Sequence, residues 1–295
     1  MGTSSMYGGP NRSPLLPPDF NDGDDNSDNP TSPDTPLPKP DEKPNEEKEP
    51  AQTPESDKPS NKEQDDEPRY SSWRAAKNSM SKYASGNGGE NGKRNAVSNY
   101  VKGYGGSRNA AKSAKSAIRT TINIGDFFNS VSKKGIVQVL QDYNIQTEGR
   151  KPKEILNDIV NQLAPAPDSN ENAIARKALI NTMSVIYDKF EDEKKDISLL
   201  DTTDSNISSM LINKYFETFI YERLINEMGS RIEKKAESSA AAERIEKDLK
   251  EYIESKVSTT LKDKPLSLIN LQTKNVYTLV EGLYQQCYKV LEDQL

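Results

Sequence analysis

Fourteen of the eighteen prolines lie before Arg69, and this crowding decides how much of the chain can fold. From Asp19 to Pro68 the same stretch carries 17 Asp or Glu against 5 Lys, a net charge of −12. A segment so rich in proline and like charge cannot bury enough apolar surface to offset the entropy lost on ordering. Residues 19–68 are therefore expected to be a disordered, acidic, Pro-rich linker. As a flexible chain it would span roughly 40 Å, and more once proline stiffening and self-repulsion act. A solubilising leash is its simplest role. Ahead of it, residues 1–18 read MGTSSMYGGPNRSPLLPP, too rich in glycine and proline for a helix or strand. A small motif on a long solvated leash has the form of something presented to a partner. Gly2 sharpens this, because removal of Met1 before so small a residue would leave a free glycine amine at the tip.

Charge is distributed unevenly along the rest. Residues 69–125 hold 11 Lys or Arg and a single acid, Glu90, for a net of +10, whereas residues 126–295 carry −5. The overall net charge of −6 is thus a poor guide to what the middle segment binds.

Residue types that are missing exclude several chemistries. The chain has no histidine, which removes the commonest general base and the commonest metal ligand. A Ser-His-Asp or Cys-His arrangement is excluded with it. The lone Cys287 can form neither an internal disulfide nor a thiolate metal site. No catalytic residue, metal site or cofactor is expected. No run of 18 apolar residues suggests a membrane span, and an N-myristoylation signal fails at Met6, where Ser or Thr is required. A cytoplasmic protein without membrane contact is the expectation.

Helical signals dominate after the leash. SSWRAAKNSMSKYASG has Ser71 or Ser72 as a candidate cap and ends at Gly86. SGNGGENG is a loop. KRNAVSNYVKG reads as a short helix with Val97, Tyr100 and Val101 on one side. KGYGGS is a second glycine loop, and Ser107 is placed to cap the helix RNAAKSAKSAIRTTI. These helices carry few large apolar residues and alone would be marginal, so a partner surface or the C-terminal part must order them. Further on, IVQVLQDY and KPKEILNDIVNQLA are amphipathic, with Pro152 in a first turn and Pro165 and Pro167 beyond the end. Ala173–Phe190 is helical in period. Ile207–Met228 sets Leu211, Tyr215, Phe219 and Ile212, Phe216, Ile220 at i, i+4 steps, a stripe wide enough for a central, buried helix. A long charged helix is expected over 231–261, and a last one carries Val276, Leu279, Val280, Leu283, Cys287, Val290 and Leu291. No strand-type alternation persists. The fold class is all-α: a bundle of five or six helices over 126–295, with the basic helical segment 69–125 as an appendage.

Each motif has a plain reading beside the functional one. Cys287 sits on an apolar stripe and reads as a packed small hydrophobe. KGYGGS, followed by Arg108, Lys112 and Lys115, is first a tight helix–helix turn. It could instead offer backbone N–H groups to an anion or a partner, though it lacks the ending of a P-loop. Acidic pairs such as Glu292-Asp293 read as solvated helix ends. The basic segment interleaves Trp73, Tyr83, Tyr100 and Tyr104 with Arg69, Arg74, Lys82, Lys102 and Arg108. That pattern suits an acidic protein surface, it also suits a phosphate backbone with stacked bases, and a third reading is self-neutralisation by the −12 leash, which would weaken either contact.

At MGTSSMYGGP, PLLPP, WRAAKNSMSKYA and NYVKGYGGS the chain resembles the B component of the bacterial Qat antiphage defence systems. The resemblance covers the first 18 residues and about residues 69–125. It implies an operon that also encodes an ATPase, a QueC-like enzyme and a TatD-like nuclease. It further implies that a QueC-like partner can join a deazaguanine to a terminal glycine. Carried to this chain, Gly2 is the modified residue and Thr3, Ser4, Ser5, Tyr7, Gly8, Gly9 and Pro10 thread the partner's pocket. Trp73, Arg74, Tyr83, Tyr100, Lys102, Gly103, Tyr104, Gly105 and Gly106 are the expected docking residues. The expected function is thus a non-enzymatic defence component that docks a QueC-like protein and presents its N-terminal glycine. The alternative is a nucleic-acid-binding adaptor for a defence nuclease, gripping phosphate through Arg69 to Arg119.

Overall fold

Thirty-one consecutive residues, Ser205–Lys235, form one helix, and its two i, i+4 rows decide what packs around it. Leu211, Ile212, Tyr215, Phe216, Phe219 and Ile220 are each no more than 3% exposed, so the stripe is buried as its width requires. The computed structural model describes residues 66–193, 197, 200, 205–262, 264 and 275–293, all within one unit, Pro59–Leu295. The tip, 1–18, and the acidic stretch up to residue 65 lie outside the described residues.

Among the described residues there are ten helices and no strand. They are α1 Asp66–Ala84, α2 Gly92–Gly103, α3 Ser107–Lys112, α4 Lys115–Lys134, α5 Ile136–Asp142, α6 Pro152–Leu163, α7 Asn170–Glu193, α8 Ser205–Lys235, α9 Ser239–Leu261 and α10 Val276–Glu292. Six of them, α5 to α10, begin beyond residue 126, as the periodicity predicts. α8 packs against α1, α4, α7 and α9, and α10 crosses α2, α3, α4 and α9. The Phe216 and Tyr284 rings meet at 4.1 Å between centroids, with Phe219 edge-on to Tyr284 at 5.8 Å. Ion pairs finish the edges of α8, with Lys177–Glu222 at 2.8 Å toward α7 and Lys214–Glu254 at 2.6 Å toward α9.

The basic segment is not an appendage. Ala76 and Met80 of α1, Ala96, Val97, Tyr100 and Val101 of α2, Ala110 and Ala111 of α3 and Ala117 and Ile118 of α4 are all 0–1% exposed and belong to the core. Ala76, Ala96, Ala110, Ala111 and Ala117 leave room for close approach, and Met80, Tyr100 and Ile118 fill the space between the helices. This is how the C-terminal part orders helices that would be marginal alone. α4 runs unbroken across residues 125 and 126.

Three boundaries differ from the periodicity. α1 starts at Asp66 rather than at Ser71 or Ser72, reaching three residues into the acidic stretch. The predicted helix after KGYGGS is two, broken at Ser113 and Ala114, and Ser107 is its first residue with Gly106 in the cap position. The predicted 231–261 helix is also two. α8 continues to Lys235, and Ser238 caps α9 by accepting from the Ala241 N–H at 3.2 Å. Leu279, placed on the apolar stripe of α10, is 45% exposed.

Removing the ring at the junction of α8 and α10 tests this architecture. Phe216→Ala should destabilise the protein by about 3–5 kcal/mol, because the cavity cannot collapse between two fixed helices. Urea unfolding followed by circular dichroism measures it.

Candidate functional site

The glycine turn between α2 and α3 is built by what it must avoid. A Cβ on Gly103 would lie 3.1 Å from Cδ2 and Cε3 of Trp73, so a larger residue there would have to shift the indole by a few tenths of an ångström. Gly106 takes φ 94°, a left-handed conformation, and a Cβ there would meet Glu292 Oε1 at 3.0 Å. Glu292, read from the sequence as a solvated end, is instead a partner of this turn. Its Oε2 accepts the Ser107 N–H at 2.9 Å, and its carbonyl accepts the Ser98 hydroxyl at 2.6 Å. The amide that an external anion would use is taken by the protein's own carboxylate. KGYGGS is a tight helix–helix turn pinned by the end of α10.

Behind the turn lies a ring cluster around a buried cation. Trp73 packs edge-on to Tyr104 at 5.1 Å and Tyr100 at 6.0 Å, and Tyr100 meets Tyr104 at 5.7 Å. The Arg223 guanidinium stands 4.2 Å from the Tyr104 ring centroid. It donates to the Ala110 carbonyl at 3.1 Å, the Ser113 hydroxyl at 2.8 Å and the Tyr288 hydroxyl at 3.3 Å. Glu227, one turn on, lies 3.7 Å from Arg223 Nε and accepts the Tyr104 hydroxyl. One residue on α8 thereby holds α3, α10 and the glycine turn together.

The electrostatics of the cluster follow from burial. Burial alone would push the Arg223 pKa down; Tyr288, Tyr100 and Tyr104 around it outweigh that and hold it above its ordinary value. Burial raises Glu227, opposed by the Tyr104 hydrogen bond and the Arg223 charge. Burial also raises Tyr100 and Tyr104 well above the ordinary phenol value. These hydroxyls keep their protons at neutral pH and can donate hydrogen bonds but not serve as bases. The Tyr100 hydroxyl and Glu227 Oε2 are buried without a hydrogen-bond partner. Cys287 is fully buried on α10, its thiol pushed up to about 12 by burial, in keeping with a packed small hydrophobe.

A second cluster clasps α1 and α2 to α9. Asp248 accepts the Tyr83 hydroxyl and the Lys93 ammonium, the latter at 2.5 Å. Burial would raise Asp248, but the hydrogen bonds from Lys93 and Tyr83 and the Lys93 charge hold it below the usual carboxylate value. Beside this clasp is a groove of about 480 Å³ between the end of α1 and α9, with Glu237 and Arg244 on its rim.

The expected docking residues therefore divide. Tyr100 and Gly103 are buried, and Trp73, Tyr83, Tyr104 and Gly106 are half-buried against the core. Arg74, Lys102 and Gly105 are exposed. Gly2, Thr3, Ser4, Ser5, Tyr7, Gly8, Gly9 and Pro10 lie outside the described residues. The rings expected to stack on bases are turned inward by Arg223 and Asp248. Sequence reading missed Arg223, Glu227 and Asp248. Its one available signal was a pair of opposite charges at i, i+4 inside the apolar run of α8, a spacing that also suits a surface pair. Among the described residues no helix is long and apolar enough to cross a membrane, and no group of three or more His, Cys, Asp or Glu could hold a metal ion.

The family model described as Qat anti-phage system associated protein QatB matches residues 105–291. The match begins in the glycine turn and runs to the last turn of α10, taking in Arg223, Glu227 and Asp248. It lies mainly over the bundle and shares only residues 105–125 with the segments that carried the resemblance above. No curated protein and no solved structure matches the chain.

Two outcomes test the clusters. Arg223→Met should cost about 3–5 kcal/mol in urea unfolding, because it strands a buried carboxylate, and Arg223→Met with Glu227→Met should recover a large part of that loss. Asp248, held low in the folded state, adds stability above the ordinary carboxylate pKa of about 3.9 and loses it as pH falls through its lower folded value. Thermal melts between about pH 6 and pH 3, read from the single tryptophan, should fall more steeply for the wild type than for Asp248→Asn.

Proposed function

The chain belongs to the QatB family of Qat anti-phage system associated proteins, and from that premise we propose that it is a non-enzymatic component that docks a QueC-like partner in the cytoplasm and presents Gly2 to it. Gly2 serves that partner as ligand or as acceptor of a deazaguanine-type modification. Thr3 to Pro10 thread the partner's pocket, and the ATPase and TatD-like nuclease of the same system join the assembly. Family membership carries the reading. A chain without histidine leaves the bond-making groups to the partner.

Exposure supports a division of labour among the docking residues in this reading. Arg74, Lys102 and Gly105 are exposed and contact an acidic partner face directly. Trp73, Tyr83, Tyr100, Gly103, Tyr104 and Gly106 shape that surface from beneath, because the Arg223 and Asp248 clusters hold them. α1 is fixed on the core at Trp73 and at Tyr83. A docked partner thus meets a rigid surface at low entropic cost.

Intact-mass analysis of the chain co-expressed with its operon tests the proposal. A mass increment on the N-terminal peptide, absent in Gly2→Pro together with loss of defence, is the expected result. An unmodified N-terminus with wild-type defence by Gly2→Pro overturns it.

A further inference from the structure

The short helix α3 and the first half of α4, after the glycine turn, present a face of cations and amides. Within residues 107–125 the exposed side chains are Arg108, Asn109, Lys112, Lys115, Arg119 and Asn123, each a cation or an amide. Arg108 and Lys112 are one turn apart on α3, and Lys115 and Arg119 one turn apart on α4, so each pair is separated by about 6 Å along its helix. None of the four cations is in an ion pair among the described residues. The segment itself contains no acid. Of the nearby carboxylates, Glu292 is spent on the Ser107 N–H and Glu171 on the Ser116 N–H at 2.7 Å. Glu171 and Glu281 share the surroundings of Tyr277 with Arg119, which tempers the field at that end.

We propose that this α3–α4 ridge binds the sugar–phosphate backbone of double-stranded DNA. A protein partner would want an exposed apolar or aromatic anchor at the centre of its contact, and the apolar side chains of the segment are buried in the core or, at Ile122, half-buried against it. A single strand would want an exposed ring for stacking, and Trp73, Tyr100 and Tyr104 are packed against one another. What remains is charge and amide donors, the residue types that contact phosphate without reading sequence. The anti-phage setting of the family makes duplex DNA the occupant. None of the ridge cations is among the residues that dock the QueC-like partner or present Gly2, so either proposal can fail alone.

Fluorescence anisotropy of the full chain with a labelled duplex of about 20 base pairs tests the ridge. Four phosphate contacts predict that affinity falls roughly 100-fold between about 50 and 200 mM salt. Changing Arg108, Lys112, Lys115 and Arg119 together to Gln should abolish most binding, and the milder Lys112→Gln with Lys115→Gln should halve the salt slope. A control with Lys234, Lys247, Lys250 and Lys262 changed to Gln should bind as the wild type does. Circular dichroism confirms that each variant is folded. No binding by the wild type at low salt overturns the proposal, as does wild-type affinity in the fourfold variant. Tighter binding of duplex RNA, or displacement of the duplex by polyglutamate at equal charge, also overturns it.

Discussion

Arg223 is the interaction on which the rest of this structure depends. A guanidinium inside a helical core is costly to bury unless its donors and its charge are matched. Here the Ala110 carbonyl, the Ser113 and Tyr288 hydroxyls, the Glu227 carboxylate and the face of Tyr104 supply that matching. Those partners come from α3, α8, α10 and the glycine turn. The need to satisfy one buried cation thus brings together chain segments more than a hundred residues apart. Hydrophobic stripes alone specify that helices pack; this network specifies which ones meet and in what register.

The same network changes the meaning of the aromatic residues that precede it. In a sequence, tryptophan and tyrosines alternating with lysines and arginines look like a contact surface. In the fold the rings become the interior of that surface and the cations its exterior. Tyr104 takes Arg223 on its face, Tyr83 donates to Asp248, and Trp73 is accommodated because residue 103 has no Cβ. The division leaves a rigid, cationic exterior over a well-packed base.

Most of the architecture was legible beforehand because it depends on local rules. The wide stripe of α8, the first-turn Pro152 and the stops at Gly86 and after Leu163 each follow from short-range periodicity or backbone sterics. Errors arose where long-range contacts overrode those rules. Ser107 is a good cap by composition, but it is the first residue of α3 with Gly106 in the cap position, and Glu292 accepts its N–H. The segment 69–125 is too poor in large apolar residues to stand alone and reads as an appendage, yet its alanines together with Met80, Tyr100, Ile118 and Ile124 are part of the core. Arg223, Glu227 and Asp248 were unreadable as a site because each resembles an ordinary surface charge until its partner is known.

By itself the sequence determined the helical class and the charge division between segments. These are properties of composition and of spacing within a few turns, and no tertiary contact alters them. Only the tertiary structure decided which charges are interior and which remain available. That choice rests on desolvation: a buried ion must find its complement, and apart from Glu227, one turn from Arg223, the groups that match Arg223 and Asp248 lie far away along the chain. The basic segment is thereby part of the core on one side and exposes Arg108, Lys112, Lys115 and Arg119 on the other.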